Sequence, residues 1–146
     1  MEINIPVLEE DKKLPSTYTC DGEGESPHLE IKDVPQEAKS LALIVDDPDA
    51  PAGTFTHWLV WNIPVTTKKI EKGQLPVEAI EGVNSGGKVN YYPPCPPQGE
   101  HRYRFILCAL DNKLDLPKGT NRTKLEKKLE KHTIETTQLT TKYQRA

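Results

Sequence analysis

The sequence predicts a mainly β protein: an antiparallel β-sandwich-like domain with one short helix in its C-terminal region. Three observations point there. Thirteen prolines among 146 residues, against an ordinary share of about 5 %, cut the chain into short elements, because proline has no N–H to give to a ladder. Three runs, residues 40–46, 56–63 and 101–110, carry apolar patterns of strand length, each bounded by turn residues. One segment, residues 122–131, has the apolar spacing of a helix.

The elements follow in order. In the weaker N-terminal third, residues 3–8 and a stretch around 29–31 suit short edge strands. Residues 40–46, Ser-Leu-Ala-Leu-Ile-Val-Asp, are an unbroken apolar run, as expected of a strand covered on both faces. It stops at Asp47-Pro48-Asp49-Ala50-Pro51-Ala52-Gly53, where prolines and glycine enforce a loop. On the next strand, the period of two puts Phe55, His57, Leu59, Trp61 and Ile63 on one face, opposite Thr56, Trp58, Val60 and Asn62. Residues 64–100 are mostly turn material. On the strand 101–110, His101, Tyr103, Phe105, Leu107 and Ala109 share a face. Helix 122–131 follows Gly119-Thr120-Asn121, with Thr123-x-x-Glu126 as a capping box and Leu125, Leu129 and His132 as its buried stripe. Residues 133–143 hold five threonines and an isoleucine, whose branched β-carbons favour a last strand over more helix.

No repeat or linker divides the chain, so residues 1–146 are expected to form a single domain. The longest purely apolar run has five residues, Leu41 to Val45, whereas a spanning helix needs roughly 20. The N-terminus lacks the basic and apolar segments of a secretory signal. With that, the three cysteines, Cys20, Cys95 and Cys108, are expected to be reduced thiols in a cytoplasmic protein, Cys20 and Cys108 as core residues. Net charge is −3, with eight Lys/Arg against three Glu in residues 118–146 and eleven against nineteen acidic residues before them. The basic end reads as a solvated helix face and not as a nucleic-acid site, since Glu126 and Glu130 interleave with its lysines and no aromatic residue stands among them.

Chemistry gathers at three strand ends. The first strand finishes at Asp47, the second begins with His57, and the third begins with His101 and carries Tyr103 two residues on. If the first is antiparallel to the other two, these residues and the proline-rich loops 47–55 and 91–100 meet on one rim. Two imidazoles, a carboxylate, a phenol and loop N–H groups make a pocket able to hold an anion. Taken singly, His57 also suits a satisfied core histidine, Tyr103 a core tyrosine, and Asp47 and Asp49 turn formers.

These residues resemble the phosphatidylethanolamine-binding protein family, and most closely its bacterial and archaeal branch. The resemblance rests on four motifs in order: Tyr18-Thr19-Cys20-Asp21-Gly22 with Ser26-Pro27; the run from Ser40 through Asp46-Asp47-Pro48-Asp49-Ala50-Pro51; Thr56-His57-Trp58 through Ile63-Pro64; and Pro94-Cys95-Pro96-Pro97 followed by His101-Arg102-Tyr103-Arg104-Phe105. It implies the family's β-sandwich-like fold and a surface cavity for phosphate-type anions, with no cofactor and no established reaction. It assigns Asp47, His57, His101 and Tyr103 to that cavity, with a backbone N–H near Cys95 and Pro96 and Pro97 beside it. Asp49, flanked by Pro48 and Pro51, supports the loop. The implied partners are a small anion (phosphate, a phosphomonoester or a carboxylate) and a protein such as a serine protease or kinase.

Two departures stand out. Tyr92 and Pro93 occupy positions where prokaryotic relatives usually have glycines, which reshapes the loop and narrows the mouth. The C-terminal segment does not resemble the terminal helix of the eukaryotic relatives, so no family role passes to Tyr143. The same residues admit three other chemistries: a hydrolase or phosphoesterase using the histidine pair, a metal held by Asp47, His57 and His101, and Cys95 as a nucleophile. The anion site is preferred to each, and an inhibitor acting through loop 91–100 alone stands beside it.

Overall fold

In the computed structural model, which describes residues 1–146, the strands are β1 (Glu2–Asn4), β2 (Leu29–Lys32), β3 (Ser40–Asp47), β4 (Phe55–Ile63), β5 (Lys69–Ile70), β6 (Ile80–Glu81), β7 (His101–Leu110) and β8 (Thr133–Tyr143), with helix α1 (Arg122–His132) before the last. They form a three-stranded sheet, β1-β2-β5, and a five-stranded sheet, β6-β4-β3-β7-β8. Every strand pairing is antiparallel.

The large sheet is covered on both faces, which is why its central strand β3 is buried at every residue. One core lies between the sheets, where Ile3, Leu29, Ile31 and Ile70 meet Leu43, Val45, Trp58, Val60, Phe105 and Leu107. A second core lies under the helix, where Leu125 and Leu129 pack on Ala42, Ile44, Leu59, Trp61, Cys108 and Leu110. The apolar run of β3 and the alternation of β7 thus sort their side chains between two cores as the period of two requires. No helix is long and apolar enough to cross a membrane.

β4 departs from the expected alternation. Val45 pairs with Trp58 but Asp46 pairs with Thr56, so His57 is an extra residue on β4. A second irregularity lies between the pairs Leu43–Val60 and Leu41–Ile63. There Asn62 takes φ +54°, a conformation asparagine tolerates better than most residues, and its amide exchanges two hydrogen bonds of 2.8 Å with the Leu114 backbone. These bulges place Trp58, Val60 and Ile63 in the inter-sheet core while Leu59 and Trp61 face the helix. An uninterrupted alternation would have kept Leu59, Trp61 and Ile63 together.

Residues 64–100 are mostly turn, with two short strands, β5 and β6. Three smaller expectations are corrected. The helix is capped by Asn121, whose side chain accepts the Lys124 N–H at 3.0 Å, and not by a box starting at Thr123. The cysteines are not all reduced: Cys20 and Cys95 form a disulfide and only Cys108 is free and buried. Cys20 is an exposed residue, outside the core. Proximity in the fold, invisible in a sequence separation of 75 residues, makes the pair, and the thiol count then gives no support to a cytoplasmic location.

Candidate functional site

The end of β3 and the starts of β4 and β7 meet at one border of the large sheet, since β3 runs antiparallel to both neighbours. Asp47 closes β3, and its Oδ2 accepts from His101 Nδ1 at 2.6 Å. Its Oδ1 accepts the Asp49 N–H at 2.8 Å and so shapes the loop that follows. Asp49 in turn fastens that loop to β7. Its carboxylate accepts the Arg102 N–H, Nε and Nη2 at 2.8–2.9 Å. These bonds hold the Asp49 carboxyl at about 2, well below the usual carboxylate range.

His57 reaches the same border because of the bulge. As the extra residue it turns toward the inter-sheet side with Trp58, and its ring lies edge-on to Tyr103 with centroids 5.4 Å apart. Its Nδ1 donates to the Tyr92 carbonyl at 2.6 Å, which leaves Nε2 as the nitrogen for a ligand. The Tyr92 N–H donates back to the His57 carbonyl at 2.8 Å. Burial pushes the His57 pKa down from its ordinary value, against the opposing pull of the Tyr92 carbonyl and of Asp47.

Tyr103 is only 1 % exposed, and its hydroxyl, near the Asp47 carboxylate, makes no hydrogen bond within 3.5 Å. Burial, and then the negative charge of Asp47, raise its pKa, so the phenol stays protonated as a donor. The fourth wall is the segment after Tyr92. The Cys20–Cys95 disulfide holds it, the Pro94 carbonyl accepts the Cys20 N–H at 3.0 Å, and the Tyr91 hydroxyl donates to the Tyr18 carbonyl at 2.8 Å.

Together these walls enclose an open cavity of about 220 Å³, lined by Asp47, Ala50, Pro51, Phe55, His57, Tyr92, Cys95, Pro96, Pro97, His101 and Tyr103. Asp47, His57, Cys95, Pro96, Pro97, His101 and Tyr103, the residues singled out in the sequence as ligand-binding, all stand on it. Pro51 lines it too, while Pro48 and Asp49 lie outside and act on the loop. Ala50, Phe55 and Tyr92 are the lining residues that sequence reasoning did not assign. The alternation of β4 already put Phe55 on the face of His57. A larger cleft of about 510 Å³ along residues 30–34 and 65–69 has neither an imidazole nor a buried unpaired polar atom. Of the two, the smaller cavity holds the chemistry.

The fold and this cavity define a β-sandwich protein with a histidine-lined hollow at the sheet border. The chain belongs to the phosphatidylethanolamine-binding protein family, whose sequence profile matches residues 4–144. It is 43 % identical over 150 residues to a UPF0098 protein of Methanothermobacter thermautotrophicus, covering 99 % of each chain. In structure it is similar to a phosphatidylethanolamine-binding protein homolog of Chlamydia trachomatis, with a TM-score of 0.94 and 36 % identity, over 99 % of this chain and 97 % of that one. Escherichia coli YbcL is also similar, with a TM-score of 0.90 and 28 % identity, over 99 % and 98 %. These relatives place the chain in the family's bacterial and archaeal branch, and membership supports a binding protein.

Proposed function

We propose that the protein is a non-enzymatic binding or regulatory protein whose cavity takes a small anion: phosphate, a phosphorylated head group or a carboxylate. The observation that carries this reading is the Tyr103 hydroxyl, a buried donor without a partner, set beside two imidazoles. An anion oxygen satisfies that hydroxyl. With both Nδ1 atoms already engaged by Tyr92 and Asp47, protonation adds an N–H donor and a positive charge at each Nε2. The affinity for phosphate therefore rises as pH falls from 8 to 6, and binding takes up protons. Rim loops 47–55 and 91–100 offer the face on which a protein partner, such as a serine protease or kinase, docks.

The test is calorimetric titration with inorganic phosphate at both pH values, repeated with the double variant His57→Ala, His101→Ala. Tighter binding at pH 6 that vanishes in the double variant supports the reading. Binding without pH dependence, or binding that survives both substitutions, removes the histidines as ligands.

One geometric relationship favours a second reading, a hydrolase or phosphoesterase. The carboxylate of Asp47 orients His101 as an acid–base histidine is oriented in catalytic triads. Cys95 is no candidate for its nucleophile, because its sulfur is bonded to Cys20. Turnover of ester and phosphoester substrates that disappears in His57→Ala would establish it, and a panel without such turnover retires it.

A further inference from the structure

The Cys20–Cys95 disulfide joins two segments that are held very unequally. Cys20 stands on a fastened turn. Thr19 beside it is fully buried; its hydroxyl donates to the Ser16 carbonyl at 2.8 Å and accepts the Asp21 N–H at 3.1 Å. The Asp21 carboxylate in turn accepts from the Tyr143 hydroxyl and from Arg145 Nε. Cys95 opens a stretch without such ties. No backbone hydrogen bond outside the strands and helix reaches residues 95–100, and Pro96 and Pro97 bring no N–H of their own. Apart from the packing of buried Pro96, the Cys95 sulfur is what fastens this stretch to the body. Cys95, Pro96 and Pro97 are also one wall of the cavity.

The ties that stop short of Cys95 do not need the bond. The Tyr91 hydroxyl donates to the Tyr18 carbonyl, Tyr92 is bonded to His57 in both directions, and the Pro94 carbonyl accepts the Cys20 N–H. On the far side, His101 already belongs to β7. Neither core contains Cys20 or Cys95. Opening the bond therefore frees residues 95–100 and leaves the sheets and residues 91–94 in place. Cys20 and Cys95 are both exposed residues, and exposed disulfides are the ones that exchange. Cys108 is buried in the core under the helix and stays out of that exchange.

We propose that Cys20–Cys95 is a thiol-exchange site whose reactant is a dithiol, and that its opening lowers the affinity of the cavity for its anion. This rests on the anion-binding reading above and adds the regulation of that site. One thiolate of the dithiol attacks a sulfur of the pair, the S–S bond breaks and a mixed disulfide forms. The second thiolate attacks that mixed disulfide and closes the reductant into its own disulfide. Cys20 and Cys95 end as thiols, having gained two electrons and two protons between them. A wall that was in place before the ligand arrived must then be ordered by the ligand, and that ordering is subtracted from binding.

The experiment is calorimetric titration of the native chain with inorganic phosphate at pH 6, before and after reduction with dithiothreitol. Thiol counts and circular dichroism show that the bond has opened and the fold has stayed. Affinity is expected to be about tenfold lower after reduction and to return on reoxidation. Linkage requires the same factor in reverse, so saturating phosphate should lower the reduction potential of the pair by about 30 mV in a dithiothreitol redox buffer. Cys20→Ser, which leaves every lining residue intact, should bind like the reduced protein and not respond to reductant. Equal affinity in the two redox states of the native chain overturns the inference while leaving the anion site standing. Loss of the whole fold on reduction also overturns it, since the bond would then serve structure alone. Absence of phosphate binding to the oxidised protein overturns the anion-binding reading, and this inference with it.

Discussion

Asp47 and His101, separated by 54 residues in the chain, meet through a 2.6 Å contact between Oδ2 and Nδ1, with both side chains less than a tenth exposed. Truncating one member of such a buried pair strands the other. Asp47→Ala is expected to lower stability by about 2–4 kcal/mol in urea denaturation and to weaken phosphate binding, because the His101 ring loses its orienting partner. Asp47→Asn, which keeps an acceptor oxygen at the same place, costs less on both counts. Equal losses in the two variants would mean that shape, and not the charge-assisted bond, holds the ring.

His57 makes stability depend on pH. Its folded pKa lies below the ordinary 6.5, chiefly because burial disfavours the charged ring. The folded chain then binds fewer protons than the unfolded one just below pH 6.5, so this residue's contribution is complete above that value and declines as acidification proceeds toward the folded pKa. Urea midpoints measured from pH 8 to pH 5 should fall, and His57→Phe should flatten the decline. Phosphate should oppose it by stabilising the protonated ring. A profile unchanged by the substitution would exclude His57 as the group responsible.

Asp46, next to Asp47 but on the helix side of the sheet, is fully buried between two guanidinium groups. It accepts from Arg104 Nε and Nη2 at 2.7 Å and from Arg122 Nη1 at 2.9 Å. Arg122 also donates to Thr56 Oγ1 at 3.1 Å, which joins the first turn of α1 to β3 and β4. Asp46→Ala is expected to cost about 3–5 kcal/mol, because two partly buried cations lose their common acceptor. Arg122→Ala should cost nearer 1 kcal/mol, since Arg104 still neutralises the carboxylate and the lost ion pair with Glu126 is exposed. Thermal denaturation of the two variants gives the order.

The disulfide fixes thiol reactivity. Native protein should show no accessible thiol, because Cys108 is 6 % exposed and burial raises its pKa. Denatured, unreduced protein should show one thiol, and denatured, reduced protein three. Cys95→Ser is expected to lose roughly 2–4 kcal/mol of stability and to speed amide exchange in the loop that closes the cavity. Three thiols without reduction would show the bond to be absent.

Much of this architecture was legible in the sequence. The alternation from His101 to Leu110 sorted β7 between its two cores, the closed apolar run marked β3 as central, and the β-branched residues 133–143 announced β8. Strand ends gathered Asp47, His57, His101 and Tyr103 on one rim. What escaped depends on contacts that local patterns do not encode. The bulges of β4 arise from how its ladder meets β3, and no count along the strand reveals an unpaired residue. The pairing of Cys20 with Cys95 needs the two loops side by side. Asn121 displaced Thr123 as the helix cap because the turn before it, ending at Gly119 with φ +88°, delivers the asparagine in an extended conformation. Tyr92 was visible as an oddity in a glycine's place, but its seat over Gly86 was not.

The extra residue in β4 makes the hollow depend on an uneven tally between two neighbouring strands. Removing one amino acid from 56–57 would leave a tidier ladder in which the residue before Trp58 sits opposite Asp46. An imidazole there would look out beneath the helix, among arginines, on the wrong side of the wall. A deletion at this spot would therefore be well tolerated by the hydrogen-bonded sheet and ruinous for the hollow, separating in one step what keeps the molecule folded from what it is folded for.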